Sequence, residues 1–96
     1  MIVYKEDETI DARDLFPPLP LLSIKNRIDK LHTGDVVKIL LNLLNYPEAE
    51  SDIKVWAKSL GHRVLEIEKR QKEIIFFIKK GEGIRKRKYA GGKKGL

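Results

Sequence analysis

The chain contains no cysteine among its 96 residues. Without cysteine it cannot form a disulfide framework or a thiolate metal site, and it has no thiol to act as a nucleophile or to carry a persulfide. Its two histidines, His32 and His62, lie far apart in the chain, and its serines lack a nucleophile-elbow context. The residues therefore indicate no metal, no cofactor and no catalytic site of the chain's own.

Long apolar segments are also missing. The chain is 42% hydrophobic and 35% charged, with a mean hydropathy of -0.37. This composition excludes an integral membrane protein and is too apolar for a disordered one. The acidic N-terminus lacks the basic and apolar regions of a signal peptide. We expect one small domain that resides in the cytoplasm and has no membrane association.

The net charge of +6 is concentrated at the C-terminus. Residues 81–96 hold six lysines and arginines against one acid, whereas residues 1–80 hold 14 basic and 13 acidic residues. Because this segment is also rich in glycine, the sequence predicts a folded domain at 1–80 and a flexible basic tail at 81–96. Part of the tail has the composition of an RNA-binding segment, since it places four cations beside one aromatic ring. These residues are Arg85, Lys86, Arg87, Lys88 and Tyr89. A tail that only improves solubility is the alternative.

The first half of the domain predicts a strand, a helix and a strand. The strand covers Thr9–Ala12, and the helix begins at the proline cluster, where missing N–H groups are tolerated. Its apolar stripe consists of Leu21, Ile24, Ile28 and Leu31. We expect Gly34 to be the C′ residue of this helix. The apolar run Val36–Leu44 predicts a strand buried on both faces, although a helix is not excluded.

The second half predicts a helix followed by a hairpin. Ser51 or Asp52 is expected to cap the helix and Gly61 to end it. The strands Val64–Lys69 and Glu73–Lys80 flank a polar turn. The order β-α-β-α-β-β predicts an α/β (α+β) two-layer sandwich, with a four-stranded mixed sheet and two helices on one face.

The second sheet face is expected to stay open. The last strand is apolar at both side-chain parities, so Ile75 or Phe77 should lie on that face. We therefore expect a monomer or a weak homodimer that associates through the open sheet.

Several short motifs fall in the order and nearly the spacing of TusA/SirA-like proteins. They are Asp11-Ala12, Leu15, Pro18-x-Pro20, Gly34-Asp35, Pro47, Asp52-Ile53, Trp56 and Gly61-His62. Over about residues 8–80 the chain resembles this family, whose members are small sulfur carriers. The resemblance implies a cysteine directly before Pro-x-Pro, which holds a persulfide at a helix N-terminus.

The chain departs from the family pattern at that site. Pro17 occupies the cysteine position, and Asp14 replaces an expected glycine. Asn45-Tyr46 replaces an acidic pair before Pro47. The degenerate carrier site therefore consists of Asp14, Pro17, Pro18 and Pro20. Proline has neither a sulfur nor an ionisable group, so persulfide chemistry at this position is absent.

Two hypotheses follow from these residues. In the first, the chain is a non-catalytic protein-interaction or regulatory module, and by resemblance its partners are sulfur-trafficking or RNA-modifying proteins. Docking would use the Pro17–Pro20 region or the open sheet. In the second, the tail binds RNA and the domain serves as its platform. An enzyme is disfavoured because no acid, base and nucleophile come together in the sequence.

Overall fold

The computed structural model describes residues 4–82, which form a small α+β domain with the predicted element order. The elements are β1 (Glu8–Asp11), α1 (Leu19–Ile28), β2 (Val36–Asn42), α2 (Ala49–Ser59), β3 (Arg63–Arg70) and β4 (Glu73–Lys79). The β1 strand lies one residue earlier than predicted. Val36–Asn42 is a strand, as preferred over the helix, while Leu43 and Leu44 already lie in the following turn.

The four strands form one mixed sheet in the order β1-β2-β4-β3. β1 pairs with β2 in parallel, and both β2 and β3 pair antiparallel with β4. The β3–β4 hairpin is confirmed, and Gln71 in its turn has a φ of 51°. Because β1 and β2 are parallel, the chain between them must cross over, and α1 makes that connection.

Both helices pack on the same face of the sheet. Side chains from the two helices and from the alternate positions of three strands form a single buried cluster. Its members include Ile10, Ile24, Ile28, Val37, Ile39, Leu41, Ala49, Ile53, Ile74, Phe76 and Ile78. The predicted two-layer sandwich is therefore confirmed.

The other sheet face is less exposed than expected. Ile75 and Phe77 alternate with the core residues of β4 and so lie on this face, but Ile75 is only 4% exposed. Phe77 is half-buried, with the Tyr4 ring centroid 5.7 Å away and the Lys38 ammonium 5.8 Å from its own centroid. In β2 only the side chains on the core face are fully buried. Lys38 and Leu40, on the other face, are partly buried, so the prediction of a strand buried on both faces is wrong.

The domain has two distinct ends. At the first, which we call the proline end, the carboxyl ends of β1 and β2 meet the first turns of both helices and the β3–β4 turn. At the second, the glycine end, both helices terminate and Lys80 pairs with Gly34 and Asp35 through backbone hydrogen bonds of 2.8 Å. Residues Pro17–Pro20 belong to the proline end, whereas the chain leaves β4 at the glycine end.

Gly34 is not the C′ residue of α1. The helix ends at Ile28 with Asp29 as its cap, and i→i+3 hydrogen bonds then tighten the chain at Lys30 and Leu31. The carbonyls of Asp29 and Leu31 accept hydrogen bonds from the Lys80 ammonium. In a longer helix these carbonyls would have bonded within the helix itself. Gly34 does have a φ of +97°, but in the turn before β2.

The predicted cap of α2 is also wrong. The helix begins at Ala49 after Glu48, and no side chain caps it. Ser51 and Asp52 lie inside the first turn, where the Ser51 hydroxyl donates to the Glu48 carbonyl at 3.3 Å. Ala49, the first residue of the helix, is fully buried. Gly61, with a φ of 78°, ends the helix as predicted.

Within residues 4–82, no helix has the length and apolar character needed to span a bilayer.

Candidate functional site

The start of α1 is built from prolines. Pro18 is the N-cap residue, Leu19 is the first helical residue and Pro20 follows it. Proline at these positions loses no helical hydrogen bond, because the first N–H groups of a helix have no partner within it. Pro20 is fully buried and anchors the turn in the core, whereas Pro17 and Pro18 are exposed.

This helix start cannot hold sulfur covalently. The side chain at position 17 is a saturated ring without a donor, an acceptor or an ionisable group. Among the backbone groups of this turn, the Leu19 N–H donates to the Phe16 carbonyl at 2.9 Å and the Leu22 N–H donates to the Pro18 carbonyl at 3.3 Å. The electropositive helix end is thus present, but no reactive atom is placed on it.

The loop that leads into α1 is held by ionic and amide contacts. Arg13 bridges Asp11 at 2.7 Å and Glu73 at 2.9 Å, and the hydrogen bond from Arg13 lowers the pKa of Asp11. The Asn45 side chain donates to the Arg13 carbonyl at 2.9 Å. Asn45, one of the departures from the family pattern, therefore ties the loop after β2 to the loop after β1. Asp14 lies exposed on this loop.

A groove of about 330 Å³ lies between the first turns of the two helices. Its α1 side consists of Pro17, Pro18, Leu21, Leu22 and Lys25, and its α2 side of Tyr46, Asp52 and Trp56. The walls are mainly apolar. Two of the four predicted carrier-site residues, the prolines at 17 and 18, thus line one concave surface, while Asp14 and Pro20 lie outside its lining.

Tyr46 is the buried member of the groove lining. It is only 4% exposed, and its hydroxyl donates to the Asp52 carboxylate at 2.7 Å. Burial and then this hydrogen bond raise the pKa of Tyr46, so the phenol stays protonated and acts as a donor. Sequence reasoning noted Tyr46 only as a departure from the family pattern and did not place it in the groove.

Three exposed apolar side chains lie at the start of α1, and one of them, Leu22, also lines the groove. Phe16 is 60% exposed, Leu19 is 53% exposed and Leu22 is 50% exposed. We call these three residues the apolar rim. The sequence contains a signal for them, because Leu19 and Leu22 are spaced i, i+3 on a side of α1 away from the predicted stripe. With Pro17 and Pro18, they form an apolar surface at the proline end.

Trp56 and His62 belong to the packing of α2. Trp56 is partly buried against the core, as expected, and its ring centroid lies 5.2 Å from that of His62. The Trp56 Nε1–H is buried without a hydrogen-bond partner in the part of the chain that the structure describes. In residues 4–82, no group of three or more acidic or histidine side chains is arranged to hold a metal ion.

The predicted RNA-binding residues are not part of this site. Arg85, Lys86, Arg87, Lys88 and Tyr89 lie outside the described residues. The tail and its role therefore stay predictions.

Comparison with known proteins gives a consistent result. Residues 8–80 match the family model described as sulfurtransferase TusA. The chain is 37% identical over 76 residues to a protein of Aquifex aeolicus (strain VF5) with the name "Putative sulfur carrier protein". That match covers 79% of this chain but 37% of the other protein, so the chain spans little more than a third of that relative.

Two other relatives match over most of their length. The chain is 30% identical over 77 residues to "Putative sulfur carrier protein YrkI" of Bacillus subtilis (strain 168). That match covers 80% of this chain and 99% of the other protein. The chain is also 28% identical over 74 residues to "Sulfur carrier protein TusA" of Allochromatium vinosum. This match covers 77% of the chain and 93% of that relative.

Proposed function

The chain belongs to the sulfurtransferase TusA family, and from that premise we propose that it is a non-catalytic protein-interaction module that has kept the family scaffold without its sulfur chemistry. The observation that carries this proposal is Pro17, which stands where the family resemblance places the carrier cysteine, in a chain that has no other cysteine. Such a module regulates sulfur transfer by occupying a partner, and it works in the cytoplasm.

The proline end is the docking surface in this proposal. A sulfur carrier must bring the start of its first helix against a donor and an acceptor, so that surface is under selection for contact with proteins. Here the same helix start displays the apolar rim of Phe16, Leu19 and Leu22. On the opposite sheet face, Ile75 is buried and Phe77 is half-buried, which gives a weak homodimer through the sheet less support.

Restoring the thiol tests the lost chemistry. The full chain with Pro17→Cys is mixed with a persulfide-loaded donor protein and weighed by mass spectrometry. We expect the variant to gain a single sulfur atom, because a thiol at a helix N-terminus ionises readily. The unmodified chain should gain none.

Val55→Cys is the matched control, since Val55 is 68% exposed in the middle of α2. This variant has an equally accessible thiol away from the helix start and should load much more slowly. Equal loading of the two cysteine variants would show that the scaffold no longer directs sulfur to position 17, and the proposal would fail.

Competition tests the docking surface. Excess unmodified chain should slow the loading of the Pro17→Cys variant, because both chains occupy the same donor surface. Leu22→Asp in the competitor should abolish this effect by placing a charge on the apolar rim, whereas Val55→Asp should leave it intact. If the unmodified chain does not compete, it does not dock on the donor.

A second candidate function is RNA binding through the tail, favoured by the six basic residues after position 81. Contact of these residues with single-stranded RNA would give a log-log salt slope of up to roughly −4, from about −0.7 per neutralised phosphate. Replacing Arg85, Lys86, Arg87 and Lys88 by glutamine in the full chain should then remove most of the binding. Affinity that survives this change unaltered would exclude the tail as the binding segment.

A further inference from the structure

Lys80 fastens the end of β4 to the end of α1. Its backbone N–H donates to the Asp35 carbonyl and its carbonyl accepts the Gly34 N–H, both at 2.8 Å. Its ammonium donates to the Leu31 carbonyl at 2.6 Å and to the Asp29 carbonyl at 3.3 Å. Four hydrogen bonds therefore hold Lys80 in place. Each of them joins Lys80 to a backbone group, so none depends on the protonation of a neighbouring side chain.

Gly81 is fastened differently, against the end of α2. Its N–H donates to Nδ1 of His62 at 3.0 Å. A Cβ at this position would overlap the Gly61 carbonyl oxygen, so the chain passes the helix end at a distance that only glycine permits. Gly61 is in turn fixed by the helix terminus, since the His62 N–H donates to the Ala57 carbonyl at 2.8 Å. The attachment of Gly81 thus depends on close backbone packing and on one imidazole nitrogen.

The chemistry of the imidazole makes this attachment sensitive to protons. Nδ1 accepts a hydrogen bond, so the neutral ring must carry its proton on Nε2. A second proton can enter only at Nδ1, the same atom that accepts the Gly81 N–H. Protonation would leave two donors facing each other, and the hydrogen bond to Gly81 would be lost.

The surroundings of His62 act in opposite directions on its charge. His62 is 8% exposed, and burial lowers its pKa. Lys80, from the end of β4, also lowers the pKa, whereas Asp29, from the end of α1, raises it. From α2 the ring meets the uncharged Trp56. The charged form is therefore disfavoured while Gly81 is in place.

We propose that His62, Gly61 and Gly81 form a proton-sensitive clasp, in which protonation of His62 breaks its hydrogen bond to Gly81 while Lys80 stays bound to the end of α1. The clasp lies at the glycine end, away from the proline end. The inference stands independently of any docking function.

Nuclear magnetic resonance of the full chain tests the clasp. Between pH 8 and pH 5, the His62 ring and the Gly81 amide should titrate with one midpoint. The hydrogen-exchange protection of the Gly81 amide should fall by about tenfold, as expected for the loss of a single hydrogen bond. The Lys80 and Gly34 amides should keep their protection in the same spectra, which separates release of the clasp from global unfolding.

Two variants assign the titration. His62→Gln offers an amide oxygen as acceptor and does not titrate, so the Gly81 signal should become independent of pH. His32→Gln removes the other histidine, whose side chain is 95% exposed, and should leave the transition unchanged. The proposal is overturned if Gly81 in the unmodified chain does not follow the His62 ring, if Lys80 loses protection together with Gly81, or if the transition persists in His62→Gln.

Discussion

At the scale of single residues, the proline end lacks a thiol but has well-defined side-chain contacts. Pro17 stands where the family resemblance places a cysteine, and Asn45 and Tyr46 stand where it places an acidic pair. Both replacements have structural roles, since Asn45 binds the Arg13 carbonyl and Tyr46 binds Asp52. The residues around position 17 are therefore integrated into the fold.

Tyr46→Phe tests this integration. The change keeps the ring in the groove and removes the hydroxyl that donates to Asp52 at 2.7 Å. We expect the free energy of unfolding to fall by about 1 kcal/mol, the usual net value of a hydrogen bond. Urea denaturation measures it.

Asp52→Asn and the double variant serve as controls for Tyr46→Phe. Because both changes act on one hydrogen bond, the double variant should lose less than the sum of the two single losses. Strict additivity would show that the two side chains do not stabilise each other.

At the scale of secondary-structure elements, the helix ends deviate most from the sequence pattern. α1 ends at Ile28, before Gly34, and the carbonyls of Asp29 and Leu31 beyond it accept hydrogen bonds from Lys80, which is distant in sequence. α2 ends as expected, because its terminus is local: the Gly61 N–H donates to the Lys58 carbonyl and the His62 N–H to the Ala57 carbonyl. This pair of bonds is a Schellman motif, which requires a left-handed residue at Gly61.

Gly61→Ala should destabilise the protein by about 1–2 kcal/mol, because alanine at a φ of 78° carries the penalty of left-handed geometry. Thermal unfolding followed by circular dichroism gives the value. Gly61→Asn should cost less, since asparagine tolerates this conformation better. An equal loss for the two variants would indicate that the side-chain volume, rather than the backbone angle, sets the cost.

At the scale of the whole molecule, the two ends of the domain carry different features. The apolar rim lies at the proline end and the His62 clasp lies at the glycine end, while Trp56 reaches from the lining of the groove to His62. A substitution on the apolar rim should therefore leave the titration of His62 unchanged. Likewise, His62→Gln should leave docking at the proline end unchanged.

The pH dependence of stability provides a global test of His62. The fold lowers the pKa of His62 below its ordinary value of 6.5, so unfolding takes up a proton. The stability that comes from the neutral ring is complete above pH 6.5 and declines as the pH falls from there toward the folded pKa. Urea titrations between pH 8 and pH 5 should show this decline.

In His62→Gln the decline should be absent, and in His32→Gln it should persist. The lowered pKa values of Asp11 and Glu50 act at lower pH, because their ordinary values are 3.8 and 4.5, and so do not obscure the comparison. A stability profile that is flat down to pH 5 in the unmodified chain would show that His62 is not kept neutral by folding.

The sequence by itself determined the element order, the core stripes and the absence of a thiol, because periodicity, glycine positions and residue identity are local properties. The tertiary structure decided the groove, the apolar rim and the clasp. The groove needs residues of both α1 and α2 side by side, and Lys80 and Gly81 reach the helix ends only when β4 pairs in the sheet. These features depend on contacts between segments distant in sequence, which no local pattern of residues encodes.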